Sequence, residues 1–182
     1  MRWSPEWYYR FANVIVIDPE TKNIILSKSE DREEVTPFGG ESSKGELENE
    51  TAVREIIEET GELVNPNVND ILLIDSVIVL PKKYKKKGSL ISRIVSFLYY
   101  IFDDSRDGIT RTIKTFVYFL KENDEIPDIE HQDYEKGCAI TEVINIPIQD
   151  LKQKINSGEL KVFSNFADST LPKLEEYLRE GN

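Results

Sequence analysis

The chain is poor in the residues that carry thiol and imidazole chemistry. Its 182 residues include one cysteine, Cys138, and one histidine, His131. A single thiol excludes an internal disulfide and a zinc cluster of the cysteine type, and it fits a reducing compartment. Long hydrophobic runs are missing too. The longest, at 94–102, is broken by Ser96 and is too short to span a bilayer. The N-terminal stretch MRWSPEWYYRF lacks the apolar core that a signal peptide needs, so a cytoplasmic protein is expected. Positive charge is also scarce: Lys and Arg number 23 against 34 Asp and Glu, a net charge of −11. Such a chain is a poor general binder of nucleic acid or of an anionic membrane. A polyanionic ligand would need bound cations or a local basic patch. No internal repeat or low-complexity linker divides the sequence.

What is present suits a soluble globular domain: 39% hydrophobic and 31% charged residues, at a length that fits one domain. Two runs rich in Ile and Val, at 12–18 and 23–29, flank the turn signal PETK and predict a hairpin. Residues 30–38 read as a polar loop. The spacing at 47–60 predicts a helix stopped by Gly61. Strands are predicted at 70–81 (with a bend), 110–122 and 139–146, a short helix at 148–156 and a last helix at 168–181. Between them lie a basic loop at 82–88 and a segment at 89–102 whose apolar spacing is helical but whose residue types also suit a strand. Strands on both sides of a central helix, with further helices outside, predict an α+β or layered α/β/α domain.

The central helix holds the densest chemistry. The stretch 39–63 carries eight glutamates. At about 100° per residue, Glu55, Glu58 and Glu59 share an arc of roughly 100° on one helix face. Ala52, Val53, Ile56 and Ile57 occupy the other side, where they can pack on a sheet. Like charges at such spacings weaken a helix by about 0.2–0.5 kcal/mol per pair. The cluster makes sense if a divalent metal neutralises it, and oxygen ligands together with substrate phosphates are what Mg²⁺ prefers. An acidic solvated face is the plainer alternative. Arg54 stands beside Glu55, eight residues after Glu46, and can hold a carboxylate in a fixed bidentate geometry.

Gly40, Glu46, Arg54, Glu55, Ile56, Glu58, Glu59 and Gly61 together follow the pattern G-x5-E-x7-R-E-U-x-E-E-x-G-U, where U is bulky and apolar. This resembles the signature box of the Nudix hydrolases. Only the last position departs: Glu62 stands where an apolar residue is expected, with Leu63 next, which predicts a small shift in how the chain leaves the helix. The resemblance implies a mixed β-sheet between helices, with the box as loop–helix–loop, in one domain over 1–182 with a family-atypical insertion around 82–108. It implies a hydrolase that cleaves a diphosphate bond in a nucleotide or nucleoside diphosphate derivative, with Mg²⁺, or Mn²⁺ in its place, as cofactor. It further implies Glu58 and Glu59 as principal metal ligands, the Gly39 carbonyl as another, and Glu55 as the group that orients or deprotonates water or binds metal. Arg54 and Glu46 would support them. In several branches of the family a further acid comes from a loop across the cleft. Here Glu130, Asp133 and Glu135 are the candidates, with Glu135 preferred for its distance from the following strand, and His131 lies beside them.

Substrate preference is less legible. Trp7, among the N-terminal aromatics, and Tyr84 and Lys83, in the basic loop, are candidate substrate contacts, as is Phe38 before the glycines. Core or dimer packing is the competing role for the aromatics, and a solvated loop for the lysines. The basic loop also leaves a capped RNA 5′ end open as substrate, though it is not favoured. A non-catalytic nucleotide-binding module is a further alternative, which the intact box carboxylates oppose. A homodimer fits the family, and no membrane partner is expected.

Overall fold

A computed structural model describes residues 9–29, 33–79, 111–126, 140–163 and 165–180. Strand β1 (Tyr9–Asp18) turns back into β2 (Asn23–Ser29), followed by the short β3 (Phe38–Glu41), helix α1 (Glu48–Glu59), β4 (Leu72–Val79), β5 (Arg111–Phe119) and β6 (Ile140–Pro147). Helix α2 (Ile148–Ser157) follows at once. A π-helical turn (Phe166–Thr170) then leads into helix α3 (Leu171–Arg179). The sheet order is β4-β5-β1-β2-β6, with β3 also paired to β1. The β1–β5 pair is parallel and the other pairs are antiparallel, so the sheet is mixed.

The run VIVI in β1 shows why the sheet lies between helices. Val14 and Val16 face one core with Ala12, Phe38, Ala52, Ile56, Phe116 and Tyr118; Ile15 and Ile17 face another with Leu26, Val117, Leu151, Phe166 and Leu174. Alternate residues of a strand point to opposite faces, so a strand that is apolar at every position must be covered on both. Helix α1 covers the first face and α2 and α3 the second, which gives the α/β/α layering expected from the sequence.

Two local readings change, and a third becomes specific. Phe38, the last residue of the predicted polar loop, opens β3, because it is fully buried against the α1 face and the glycines after it pair with Ala12 and Asn13. The last helix is preceded by a π-helical turn rather than starting as a regular helix at 168. The bend expected at 70–81 is a β-bulge in β4 between Leu73 and Asp75. The segments 82–108 and 127–139, with the expected insertion and the acidic loop, lie outside the described residues.

The bulge sends both Ile74 and Asp75 towards the α3 side. The side chain of Asp75 is fully buried. It accepts from Ser169 Oγ (2.8 Å) and Thr170 Oγ1 (3.0 Å) and pairs with Lys173, so it ties β4 to the π-helical turn and the start of α3. Burial pushes the Asp75 carboxyl up, but hydrogen bonds from Lys173, Ser169 and Thr170 together hold it below the usual range. Replacing it with alanine strands those hydroxyls. Asp75→Ala is expected to cost about 2–3 kcal/mol, read as a lower denaturant midpoint in urea unfolding.

Candidate active site

Just before helix α1 the Leu47 N–H is accepted by the Glu50 carboxylate (2.8 Å), and Glu48 and Glu50 place negative charge in the first turn, where the helix dipole favours it. It ends as Thr60 Oγ1 donates to the Ile56 carbonyl (2.6 Å) and accepts from the Val64 N–H (3.2 Å). Gly61 and Glu62 both have left-handed backbone, at φ 64° and 69°. Glu62 is exposed, Leu63 is half-buried, and Val64 is fully buried in the α1-side core. The apolar stripe lies as expected: Ala52 and Ile56 are fully buried and Val53 and Ile57 pack beside them.

On the opposite side, Arg54 gathers the acids. Its Nε donates to Glu46 Oε1 (2.9 Å) and its Nη2 to Glu46 Oε2 (3.2 Å), a two-point clamp. Nη1 lies 2.6 Å from Glu55 Oε1 and 3.1 Å from Glu58 Oε2. Nη2 also donates to the Glu41 carbonyl (3.1 Å), which ties the helix to β3. One guanidinium thus touches three carboxylates and a backbone oxygen, a use of its planar fork that lysine has no means to copy. Glu59 turns the other way and accepts from the Gly39 N–H (2.7 Å). Glycine is needed in β3 for two distinct reasons. A Cβ on Gly39, where φ is +153°, would lie 2.2 Å from the Ala12 carbonyl oxygen. A Cβ on Gly40 would lie 2.5 Å from the Glu55 carboxylate, so the bare Cα leaves room for that group between β3 and α1.

The electrostatics follow from these contacts. The Arg54 hydrogen bond holds the Glu46 carboxyl down at about 2, and Glu46 in turn holds the Arg54 guanidinium above its usual range. Glu55 goes the other way: burial pushes its carboxyl up, and Arg54 only partly offsets this. Because Glu46 is depressed when folded, its contribution to stability is complete above its unfolded value near 4.5 and is lost as pH falls towards about 2. The acid limb of stability over that window is expected to be shallower in Glu46→Gln than in the parent, measured by urea unfolding at a series of pH values.

Gly39, Gly40, Glu46, Arg54, Glu55, Glu58 and Glu59 therefore come together. Phe38 does not belong with them: fully buried in the α1-side core, it offers no face on which a nucleotide base could stack, which corrects its candidacy as a substrate contact. Trp7, Lys83, Tyr84, Glu130, His131, Asp133 and Glu135 lie outside the described residues. Three residues that the sequence did not single out adjoin the cluster. Arg10 on β1 donates to the Glu46 carbonyl, and both Arg10 and Lys114 on β5 approach Glu48. Their signal is visible only after the strand faces are assigned, since Arg10 falls two residues before Ala12 on the face that meets α1.

Among the described residues, no three acids, histidines or cysteines are gathered as a metal-binding group. The contacts give the reason: Glu55 and Glu58 face Arg54, while Glu59 faces the Gly39 amide. The donors nonetheless suit a hard divalent cation. They are carboxylate oxygens on one helix face beside a glycine backbone, and the exposed Glu58 meets Arg54 at Nη1, not at the two nitrogens that hold Glu46.

By sequence the chain matches no protein-family model and no curated protein. By structure it resembles a NUDIX hydrolase from Nitrosomonas europaea, with a TM-score of 0.57 at 13% identity over 94% of this chain and 89% of that one. It also resembles the Ap4A hydrolase of C. elegans solved as a binary complex, with a TM-score of 0.53 at 14% identity over 95% of this chain and 98% of that one. A second structure of that hydrolase gives a TM-score of 0.52 at 14% identity over 94% and 98%. The fold is the α/β/α Nudix fold, with an open mixed sheet. No helix among the described residues is long and apolar enough to cross a membrane.

Proposed function

We propose that this protein is a metal-dependent hydrolase that cleaves a phosphoric anhydride bond in a nucleotide or nucleoside diphosphate derivative. The observation that carries this is the clamp of Arg54 on Glu46, Glu55 and Glu58 beside two glycines, with Glu59 fixed at the Gly39 amide. A salt-bridged surface helix has no need of the bare backbone at Gly40, which is the space Glu55 occupies. The fold agrees, since the solved structures it resembles bear the names NUDIX hydrolase and Ap4A hydrolase.

In this reading Glu58 and Glu59, with the Gly39 carbonyl, would hold the cation, and Glu55 would either share it or accept a proton from water. When bound, Mg²⁺ or Mn²⁺ screens phosphate charge and lowers the pKa of a coordinated water. The work of the chain itself is positional. Arg54 keeps Glu55 and Glu58 on one side of the helix, and Glu46 keeps Arg54 there through two hydrogen bonds. Burial raises the affinity of Glu55 for a proton, which suits a general base better than a fully solvated carboxylate. Glu135, from the acidic loop, remains the candidate for one further acid.

Single variants separate this site from an acidic surface patch. Glu58→Gln and Glu59→Gln are each expected to lower Mg²⁺-dependent turnover at least about 100-fold, beyond the usual effect of outer-sphere changes. Binding of Mn²⁺, followed by loss of the free-ion EPR signal, should weaken in both while circular dichroism is unchanged. Parental turnover and Mn²⁺ affinity in both variants would remove the site.

A further inference from the structure

Arg10 grips the 42–47 loop at both ends. At one end its carbonyl accepts from the Ser42 N–H (2.8 Å), extending the β1–β3 ladder past its last pair at Phe11 and Glu41. At the other, its Nη2 donates to the Glu46 carbonyl (2.8 Å) and its Nη1 lies 3.8 Å from Glu48 Oε2. Lys114 reaches the same Glu48 oxygen at 3.4 Å, and the β1–β5 register puts it level with Ala12, on the strand next to Arg10. Two cations from adjacent strands thus meet the first turn of α1.

The loop held in this way carries Glu46. Its carboxylate takes the Ser43 N–H (2.8 Å) and both Arg54 donors, and Arg54 then reaches Glu55 and Glu58. A continuous chain of contacts therefore runs from the sheet to the acids: Arg10, the Glu46 backbone, the Glu46 side chain, Arg54, then Glu55 and Glu58. We infer that Arg10, backed by Lys114 through Glu48, is a positioning residue that sets the geometry of the candidate site without touching substrate. The inference rests on the hydrolase reading only for its kinetic consequence. The strut itself is a property of the loop.

The chemistry supports a strut over a surface ion pair. The Glu46 carbonyl belongs to a loop residue just ahead of α1, where no ladder partner is available, and a charged donor on it is stronger than a neutral one. A small displacement of a positioning shell is enough to misplace reacting groups and costs rate more than affinity. Lysine at position 10 supplies one point charge, so it should hold either the Glu46 carbonyl or Glu48 but not both.

The test combines kinetics with amide exchange. Arg10→Ala is expected to lower kcat by about 10- to 100-fold with KM nearly unchanged, and Arg10→Lys to recover part of the loss. In a Glu46→Gln background the same Arg10→Ala change should cost less than about twofold, because residues acting through one network are not additive. A raised KM with parental kcat, or full additivity with Glu46→Gln, would overturn the strut. So would a lower melting temperature with parental kcat. Should the parent hydrolyse no nucleotide, the hydrolase reading fails, but the strut is still decided by exchange. The Ser43 amide and the Arg54 Nε proton should exchange at least about tenfold faster in Arg10→Ala. Unchanged protection of both would refute it, and Lys114→Ala should loosen them in the same direction.

Discussion

On the proposed hydrolase reading, replacing Arg54 with alanine is expected to lower turnover by about 100-fold or more, the upper range for losing a residue that orients the carboxylates of a metal site. The reason is the number of partners that one guanidinium serves. Without it Glu55, largely buried, loses its nearest opposite charge at 2.6 Å, and Glu46 loses a two-point clamp. Glu55 and Glu58 then share a helix face with nothing between them but each other's charge. Arg54→Lys should fare little better, because an ammonium cannot hold Glu46 at two points while also meeting Glu55, Glu58 and the Glu41 carbonyl. Steady-state kinetics alongside circular dichroism would check both. A lysine variant with parental activity would show that only the charge at position 54 matters.

The second large effect is expected from a single methyl group on β3, and its kind depends on which glycine receives it. In Gly40→Ala the added carbon would sit 2.5 Å from the Glu55 carboxylate, the end of a flexible side chain. Glu55 swings away and the fold survives, so turnover should fall by roughly 10- to 100-fold with stability within about 1 kcal/mol of the parent. In Gly39→Ala the carbon would meet the Ala12 carbonyl oxygen at 2.2 Å and the main chain of Asn13 at 2.8 Å. Backbone cannot step aside in the same way, and the left-handed φ adds strain, so a loss of about 3 kcal/mol or more is expected. Urea unfolding of both variants with kinetics on the folded fraction distinguishes the two. Equal destabilisation by the two alanines would contradict the different roles given to adjacent glycines.

Much of this arrangement is legible before any coordinates. The period of α1 separates Ala52 and Ile56 from Glu55, Glu58 and Glu59, and the structure buries the first pair and leaves the acids on the other side. The unbroken apolar run of β1 already requires cover on both faces. What is not legible has physical causes. Phe38 falls at the end of the predicted loop and precedes two glycines, which are poor strand formers, yet pairing with Val14, Asn13 and Ala12 makes all three a strand. Phe38 reads as a candidate substrate contact from its place before the glycines, whereas tertiary packing makes it core. Asp75 sits in an apolar stretch whose only local donor to it is the Ser76 N–H; its hydroxyls and lysine arrive from residues 169–173. Arg10 is silent in sequence for the same reason, since the loop it grips lies more than thirty positions away along the chain.

The most direct measurement is a product-resolved assay of the parent protein with Mg²⁺ and with chelator. The panel should hold nucleoside triphosphates, dinucleoside polyphosphates, nucleotide sugars, ADP-ribose and capped RNA. The hydrolase reading predicts Mg²⁺-dependent cleavage at a phosphoric anhydride bond of at least one of them, lost in Glu58→Gln. Nucleotide binding without any product across the whole panel would contradict it and leave a nucleotide-binding module on the same fold.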